Sequence, residues 1–163
     1  MLSISLNLAQ NSFVGSVPSE VGNLVHLVEL VLSDNKLSGE IPSNLGHCTS
    51  LQYLYMDGNF FQGVIPTPLS SLRGVEDIDL SRNNLSGQIS NFLEELSLKN
   101  LNLSFNDFQG EVSTKGIFKN ASAVSFVGNS RLCGGILDLN LPRCLTKKKR
   151  KWSLALTMVI SVV

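Results

Sequence analysis

Residues 30–42 read LVLSDNKLSGEIP, and the pattern inside this stretch returns along most of the chain. Leu30 and Leu32 stand at alternate positions, and Asn35 follows three residues after the second of them. The same asparagine recurs at spacings of 24, 24, 24 and 23 residues, at Asn11, Asn35, Asn59, Asn83 and Asn106. A fixed period of this length is typical of solenoids, in which each repeat packs mainly on its neighbours.

Other residue types keep the same register. Gly follows four residues after each asparagine, at Gly15, Gly39, Gly63, Gly87 and Gly110. Three residues after the glycine, the first three repeats have Pro18, Pro42 and Pro66, and the last two repeats have Ser90 and Ser113. An apolar pair precedes each asparagine: Leu6/Leu8, Leu30/Leu32, Leu54/Met56, Ile78/Leu80 and Leu101/Leu103. This agreement predicts that residues 1–113 form five tandem repeats.

Each repeated position has a physical reason. Apolar residues at alternate positions predict a short strand with one face in the core and the other in water. The chain turns away from the sheet at the asparagine, whose amide carries both donors and an acceptor and can pair backbone groups that the turn buries. We therefore expect the five asparagines to form a structural ladder. Inward residues of the return segments, Leu24, Leu27, Leu51, Leu72 and Val75, are expected to close the core.

The strings Leu37-Ser38-Gly39-Glu40-Ile41-Pro42 and Phe61-Gln62-Gly63-Val64-Ile65-Pro66 resemble the plant-type leucine-rich repeat, L-x-G-x-I-P. The resemblance covers roughly residues 6–112. It implies an α/β fold, a horseshoe solenoid with a parallel concave β-sheet, an extra strand near the I-P segment and a superhelical twist. The pattern departs from the family at Ser90 and at the shorter last spacing, as a terminal repeat is expected to do.

From Gly116 the period stops, and the following residues resemble a C-terminal cap. The strings are Gly116-Ile117-Phe118-Lys119-Asn120-Ala121-Ser122, Ser125-Phe126-Val127-Gly128-Asn129, Leu132-Cys133-Gly134-Gly135 and Leu141-Pro142-Arg143-Cys144. They are similar to the cap of plant receptor-like kinases, above all of the immune receptors that perceive bacterial patterns. We assign residues 114–145 to this cap, which would cover the apolar edge of the last repeat.

Three cysteines indicate one disulfide and one free thiol. We expect Cys133 and Cys144 to pair, because a cap this short has little core of its own and a disulfide would stabilise it by about 3 kcal/mol. The alternative is two buried thiols. Cys48 fits a small buried apolar position better than a nucleophile.

The charges are divided between the body and the tail of the chain. Before Thr146 there are 8 Lys/Arg and 13 Asp/Glu, a net charge of −5, and the other 5 cations form the run Lys147–Lys151. An acidic body argues against nucleic-acid binding. We interpret residues 146–151 as a basic juxtamembrane segment, with a nuclear-localisation signal or a solvated charge block as alternatives.

Residues 152–163 are uncharged, and we interpret them as the start of a truncated transmembrane helix, which needs about 20 residues. A surface helix or strand is the alternative. Cations before a span would favour a cytoplasmic N-terminal side. The cysteine cap and the glycosylation sequons at Asn84, Asn102 and Asn120 favour the opposite, with the repeats outside the plasma membrane.

The outward positions of the strands predict a ligand-binding face. Tyr53 and Tyr55 beside Asp77 and Asp79 form an aromatic and acidic patch, and tyrosine is frequent at binding hot spots. The wider set adds Glu29, Val31 and Asp57. Five strands span about 24 Å, enough for about seven extended residues of a peptide, and an acidic groove favours a cationic ligand. The alternative is that these residues form an ordinary hydrophilic strand face.

No catalytic, metal-binding or cofactor-binding pattern is found. The chain contains no H-E-x-x-H, no G-x-S-x-G and no phosphate-binding glycine loop. His26 and His47 fall at variable convex positions, where a solvated or packed histidine is the expected state. We therefore expect a binding module without an enzymatic activity.

Three hypotheses for function remain. The first is the membrane-proximal fragment of a receptor ectodomain that perceives a peptide or another pattern in signalling or defence. The resemblance implies that a full-length relative carries a cytoplasmic serine/threonine kinase and pairs with a co-receptor near this end. The second is a soluble inhibitor or scaffold without a kinase, and the third is a nuclear scaffold. Residues 1–8 show no signal peptide, which suggests an incomplete gene model or a gene fragment.

Overall fold

A computed structural model describes residues 3–145, in which the strands form two parallel six-stranded sheets. The strands are β1 Ile4–Asn7, β2 Val14–Gly15, β3 Leu27–Val31, β4 Lys36–Glu40, β5 Tyr53–Tyr55, β6 Phe60–Gly63, β7 Asp77–Asp79, β8 Asn84–Gly87, β9 Asn100–Asn102, β10 Asp107–Val112, β11 Val124–Ser125 and β12 Arg131–Gly134. The odd-numbered strands form the concave sheet in the order β1-β3-β5-β7-β9-β11. The even-numbered strands form the second sheet, so the predicted leucine-rich-repeat solenoid with an extra strand per repeat is confirmed.

The helical layer of this α/β fold consists of short 3-10 helices. They span Ser19–Asn23, Ser43–His47, Thr67–Ser71, Asn91–Glu95, Gly116–Lys119 and Leu137–Leu139, and residues 3–145 contain no α-helix. Pro18, Pro42 and Pro66 precede the first three with φ of −67°, −61° and −65°, and Ser90 precedes the fourth at −67°. A serine therefore reaches the backbone angle that the proline ring fixes, and the change at Ser90 leaves the start of the 3-10 helix unaltered.

The core is a set of stacked apolar columns between the two sheets and the 3-10 helices. Leu27, Leu51, Leu72 and Val75 are fully buried as expected, whereas Leu24 is only partly buried. Leu24 belongs to the first repeat, on which no earlier repeat packs within the described residues. Cys48 occupies the column of Leu24 and Leu72 and is fully buried, with its Sγ 3.4 Å from the Val21 carbonyl oxygen. Burial raises the pKa of the Cys48 thiol, which keeps it protonated and unreactive.

The ladder asparagines connect each repeat to the one before it. The Oδ1 atom of Asn59 accepts a hydrogen bond from the Leu37 N–H at 3.0 Å. Its Nδ2 atom donates to the Leu32 carbonyl of the preceding repeat at 2.9 Å and to the Met56 carbonyl of its own repeat at 3.3 Å. Asn35, Asn83 and Asn106 repeat this arrangement, while Asn11 bonds only to carbonyls of its own repeat. The side chain therefore pairs backbone groups on both sides of a repeat boundary.

The repeat pattern continues farther than the sequence predicts, because the cap contains a sixth unit. Strand β11 extends the concave sheet and β12 extends the second sheet. Asn129 adds a ladder position that the sequence analysis missed, with its Oδ1 atom 3.0 Å from the Phe108 nitrogen and its Nδ2 atom 2.9 Å from the Leu103 oxygen. The apolar pair Val124/Phe126 before Asn129 was the available signal. Cys133 stands four residues after Asn129, where each earlier repeat has glycine. The sixth repeat therefore lacks the Asn–Gly spacing that identifies the other five.

The disulfide closes the end of the cap. Cys133, at β12, is bonded to Cys144, and the Gly134 N–H donates a hydrogen bond to the Pro142 carbonyl at 2.9 Å. The last described residues are thereby fastened to the edge of the second sheet. The basic segment 146–151 and the apolar segment 152–163 lie outside the described residues. Within residues 3–145, none of the helices has the length and apolar character that a membrane crossing needs.

We predict that peptide mapping of the protein under non-reducing conditions recovers Cys133 and Cys144 in one crosslinked species. Cys48 should react with an alkylating reagent only after unfolding, because its side chain is fully buried. A crosslinked peptide that contains Cys48 would contradict this pairing.

We predict that Asn59→Ala lowers the free energy of unfolding by about 1–3 kcal/mol, because it leaves buried backbone groups such as the Leu37 N–H without a partner. Thermal and urea unfolding monitored by circular dichroism measures the change. Asn91→Ala is the matched control, because Asn91 is exposed at the start of a 3-10 helix and lies outside the ladder. Equal stability of the Asn59→Ala variant and the unmodified protein would show that other groups pair this backbone.

Candidate ligand-binding face

The register of the concave sheet sets the predicted binding residues side by side. One row of outward residues contains Glu29, Tyr53 and Asp77, and the next contains Val31, Tyr55 and Asp79. Asp57 lies one step beyond Tyr55, in a third row. All seven side chains are half-buried. Adjacent strands in a sheet are about 4.8 Å apart, so neighbouring members of a row are within contact distance.

The two tyrosines form the aromatic centre of this face. Tyr53 and Tyr55 project from the same side of β5, with ring centroids 6.5 Å apart and an angle of 25° between the ring planes. Together they offer a flat surface that combines apolar rings with phenolic hydroxyl groups. Such a surface can contact an extended chain without requiring one particular side chain.

The carboxylates beside the tyrosines lack positively charged partners. Asp79 accepts hydrogen bonds at 2.9 Å from both the Ser81 N–H and the Asn102 Nδ2, and Asp77 accepts one from Asn100 Nδ2. Glu29 accepts a hydrogen bond from the Ser5 hydroxyl. Among residues 3–145, no Lys or Arg forms an ion pair with these three groups. Their hydrogen bonds therefore come from neutral donors, and none of the three carboxylates is held in a direct ion pair within these residues.

The pKa of Tyr55 reflects this negative field. Burial of the ring raises the pKa of the phenol, and the charges of Asp77, Glu29 and Asp79 raise it further. Each effect disfavours ionisation of the Tyr55 phenol, which would add a negative charge beside the carboxylates. The phenol remains a neutral hydrogen-bond donor in neutral solution.

A depression of about 350 Å³ lies between the tyrosine strand and the cap. Asp77 and Asp79 form one side, Asn100 and Asn102 lie on the neighbouring strand, and Ser122 and Ser125 of the cap form the other side. Ser125 is present because β11 pairs with β9, opposite Asn102. Neither serine is among the residues predicted from the sequence, because the predicted repeats end before the cap.

Asp57 differs from the other predicted carboxylates because it is already ion-paired. Arg82 Nη2 lies 2.5 Å from Asp57 Oδ2 and 3.1 Å from Asp34 Oδ1. The hydrogen bond that Arg82 donates to Asp57 is the largest influence and raises the pKa of the guanidinium. Burial opposes this, and the charges of Asp34, Asp57 and Asp79 raise the pKa further. The concave face thus has a neutralised part at Asp57 and an open acidic part at Asp77 and Asp79.

The three sequons lie in different surroundings. Asn84 is exposed on β8 of the second sheet, away from the concave rows. Asn102 is half-buried on the concave sheet, with its Nδ2 atom bonded to Asp79. Asn120 is exposed within the cap, and its Oδ1 atom accepts hydrogen bonds from the Ser122 hydroxyl and N–H.

The described residues contain no group of three or more His, Cys, Asp or Glu side chains that could hold a metal ion. The chemistry offered by the concave face is therefore that of carboxylates, amides, hydroxyl groups and aromatic rings. These groups suit non-covalent recognition of a polar or cationic segment.

Comparison with known proteins shows that this solenoid is similar to the ectodomains of plant receptor kinases. The family model described as Leucine Rich Repeat matches residues 26–48, 50–72 and 74–96. A probable LRR receptor-like serine/threonine-protein kinase of Arabidopsis thaliana is 51% identical over 77 residues, which are 47% of this chain and 8% of that protein. The chain thus spans only a small part of the length of this curated relative.

Two solved Arabidopsis ectodomains share the fold. The receptor kinase GASSHO1/SCHENGEN3, in complex with CASPARIAN STRIP INTEGRITY FACTOR 2, matches with a TM-score of 0.78 and 38% identity over 86% of this chain and 16% of its own. The receptor kinase SOBIR1 matches with a TM-score of 0.73 and 34% identity over 81% of this chain and 74% of its own.

We predict that replacing Asp77 and Asp79 together by Asn lowers the pKa of Tyr55, because two charges that oppose phenolate formation are removed. The measurement is an alkaline absorbance titration, with the signal of the corresponding Tyr55→Phe variant subtracted to isolate Tyr55. Glu95→Gln removes one charge on the convex side and should leave the pKa of Tyr55 unchanged. A pKa that does not move in the double variant would contradict the role of these carboxylates.

Proposed function

The chain belongs to the leucine-rich-repeat ectodomains of plant receptor-like kinases, and on this premise we propose that its concave sheet binds an extended, positively charged peptide segment. The observation that carries the proposal is the open carboxylates of Glu29, Asp77 and Asp79 around the Tyr53–Tyr55 pair. Carboxylates without a cationic partner attract a cationic ligand, and the rings supply contact area.

The size of the face suits a short peptide. Five neighbouring strands span about 24 Å, which corresponds to about seven residues of an extended chain. A ligand that follows the rows crosses the strands at right angles and meets Glu29, then the tyrosines, then Asp77 and Asp79. Its end would reach the depression beside Ser122 and Ser125.

The wider proposal is a receptor that signals from the cell surface, in defence or in another response. In it the repeats lie outside the plasma membrane, residues 146–151 lie next to the membrane, and residues 152–163 begin the span. Membership of the receptor-kinase ectodomains supports an extracellular location of the repeats. The Cys133–Cys144 disulfide supports it as well, because disulfides persist in oxidising compartments. The chain itself would supply ligand binding, the catalytic kinase would belong to the rest of the protein, and a co-receptor would bind near the cap.

We predict that the concave variant Tyr53→Ala/Tyr55→Ala/Asp77→Asn/Asp79→Asn loses binding of a fluorescent heptalysine probe. Truncation of one tyrosine hot spot costs about 2 kcal/mol, or roughly thirtyfold in affinity, and the loss of two charges adds to this. Fluorescence anisotropy measures the affinity. Thermal unfolding should show that the solenoid remains folded, because the replaced side chains point away from the core.

The matched control is Ser43→Ala/His47→Ala on the convex 3-10 helix, where both residues are exposed. This variant should bind the probe as the unmodified protein does. Equal losses from the two faces would indicate misfolding, and undiminished binding by the concave variant would contradict the proposed site.

A further inference from the structure

A row of residues in left-handed backbone conformation follows one rim of the concave sheet. Each of them directly precedes a ladder asparagine. The row consists of Gln10 at φ 54°, Asp34 at 54°, Gly58 at 64°, Arg82 at 54°, Phe105 at 53° and Gly128 at 87°. We call these six residues the rim row. Because they stack at the repeat spacing, a side chain in the row can contact its neighbours in the adjacent repeats.

Arg82 extends along the rim row and contacts two earlier repeats. Its Nη2 atom lies 2.5 Å from Asp57 Oδ2 and 3.1 Å from Asp34 Oδ1, although Asp34 is 48 residues away in the chain. Between them stands Gly58. A Cβ atom at Gly58 would lie 2.4 Å from Asp34 Oδ1 and 3.3 Å from Arg82 Nη2. The missing side chain at Gly58 is therefore what allows one guanidinium to bridge both carboxylates.

The bridge divides the acidic groups of the face into two classes. Asp57 and Asp34 share the guanidinium, and the Ser33 hydroxyl donates a further hydrogen bond to Asp57 Oδ1 at 2.5 Å. Asp77 and Asp79 have only neutral donors. The Asp57 side chain is 15% exposed and the Arg82 side chain is 53% exposed, so the cation covers the carboxylate from the solvent side.

We propose that Arg82 is a specificity-determining residue, which occupies Asp57 and Asp34 as a built-in competitor and so restricts a cationic ligand to the open carboxylates at Asp77 and Asp79. This inference rests on the proposed function, since it assumes that cationic groups bind the concave face. Arg82 stays charged at every pH at which the carboxylates are charged, so the competition does not depend on titration of the guanidinium.

A purely structural role for the bridge predicts a different outcome. If Arg82 only stabilised the solenoid, its loss would lower the melting temperature and leave the affinity for a cation unchanged or reduced. If Arg82 competes, its loss frees two carboxylates and the affinity rises. A rise in affinity that appears both in Arg82→Gln and in a variant that retains the guanidinium charge therefore separates competition from a structural role.

The test compares heptalysine binding to the unmodified chain and to Arg82→Gln by fluorescence anisotropy at two salt concentrations. Glutamine keeps much of the side-chain length but removes the charge. We expect Arg82→Gln to bind about three- to tenfold more tightly, the range for one or two exposed charge pairs, with a steeper dependence on salt. Arg73→Gln is the matched control, because it removes the same charge from an exposed convex pair with Glu95. This control should change the affinity by less than about twofold, because Arg73 lies away from the concave face.

Gly58→Ala gives a second variant that keeps the charge of Arg82. Its Cβ would separate Asp34 from the guanidinium, so we expect a smaller rise in affinity of the same sign. Unchanged or weaker binding by Arg82→Gln, in a folded protein whose Asp77→Asn/Asp79→Asn variant loses affinity, would overturn the inference and leave the proposed function standing. If the Asp77→Asn/Asp79→Asn variant also binds as the unmodified chain does, the proposed function itself fails.

Discussion

The asparagine side chain that joins each repeat to the preceding one is the interaction on which this structure depends. At every repeat the chain leaves the concave strand and turns back, and the turn buries backbone N–H and C=O groups that water cannot reach. Asn35, Asn59, Asn83, Asn106 and Asn129 each accept a hydrogen bond from a backbone N–H of the previous repeat and donate to one of its carbonyls. Because these bonds cross the repeat boundary, no repeat is complete without its neighbour.

The ladder hydrogen bonds place no requirement on which residues occupy the outward positions of the concave strands. The ladder bonds join side chains to backbone atoms, so the repeat geometry does not depend on which residues occupy the exposed rows of the concave sheet. In residues 3–145, no buried side-chain nitrogen or oxygen lacks a hydrogen-bond partner, which shows how completely the inner groups are paired. The outward positions can therefore hold tyrosines and carboxylates at little structural cost, and the fixed register aligns them across the strands.

The cap affects the candidate site as well as the stability of the solenoid. By adding β11 to the concave sheet and β12 to the second sheet, it covers the apolar edge of the fifth repeat. It also brings Ser122 and Ser125 next to the depression beside Asp79. The end of the solenoid is thus part of the surface that a ligand meets.

The sequence by itself determined the period, the strand faces, the ladder positions up to Asn106 and the concave rows, because each of these depends on residues that recur at one spacing. The positive φ of all five repeat glycines, from 81° to 92°, follows from the same pattern. Only the tertiary structure decided that the cap carries a sixth ladder position, at Asn129, since Cys133 replaces the expected glycine there. It also decided that Asp57 is neutralised while Asp77 and Asp79 are open, because that difference depends on Arg82 crossing the empty space at Gly58. Aligning equivalent positions of the repeats in the sequence shows whether each side chain points into the core or out of the concave sheet. It does not show that the Arg82 side chain is long enough to contact carboxylates across two repeat boundaries. That contact exists only once the repeats are stacked.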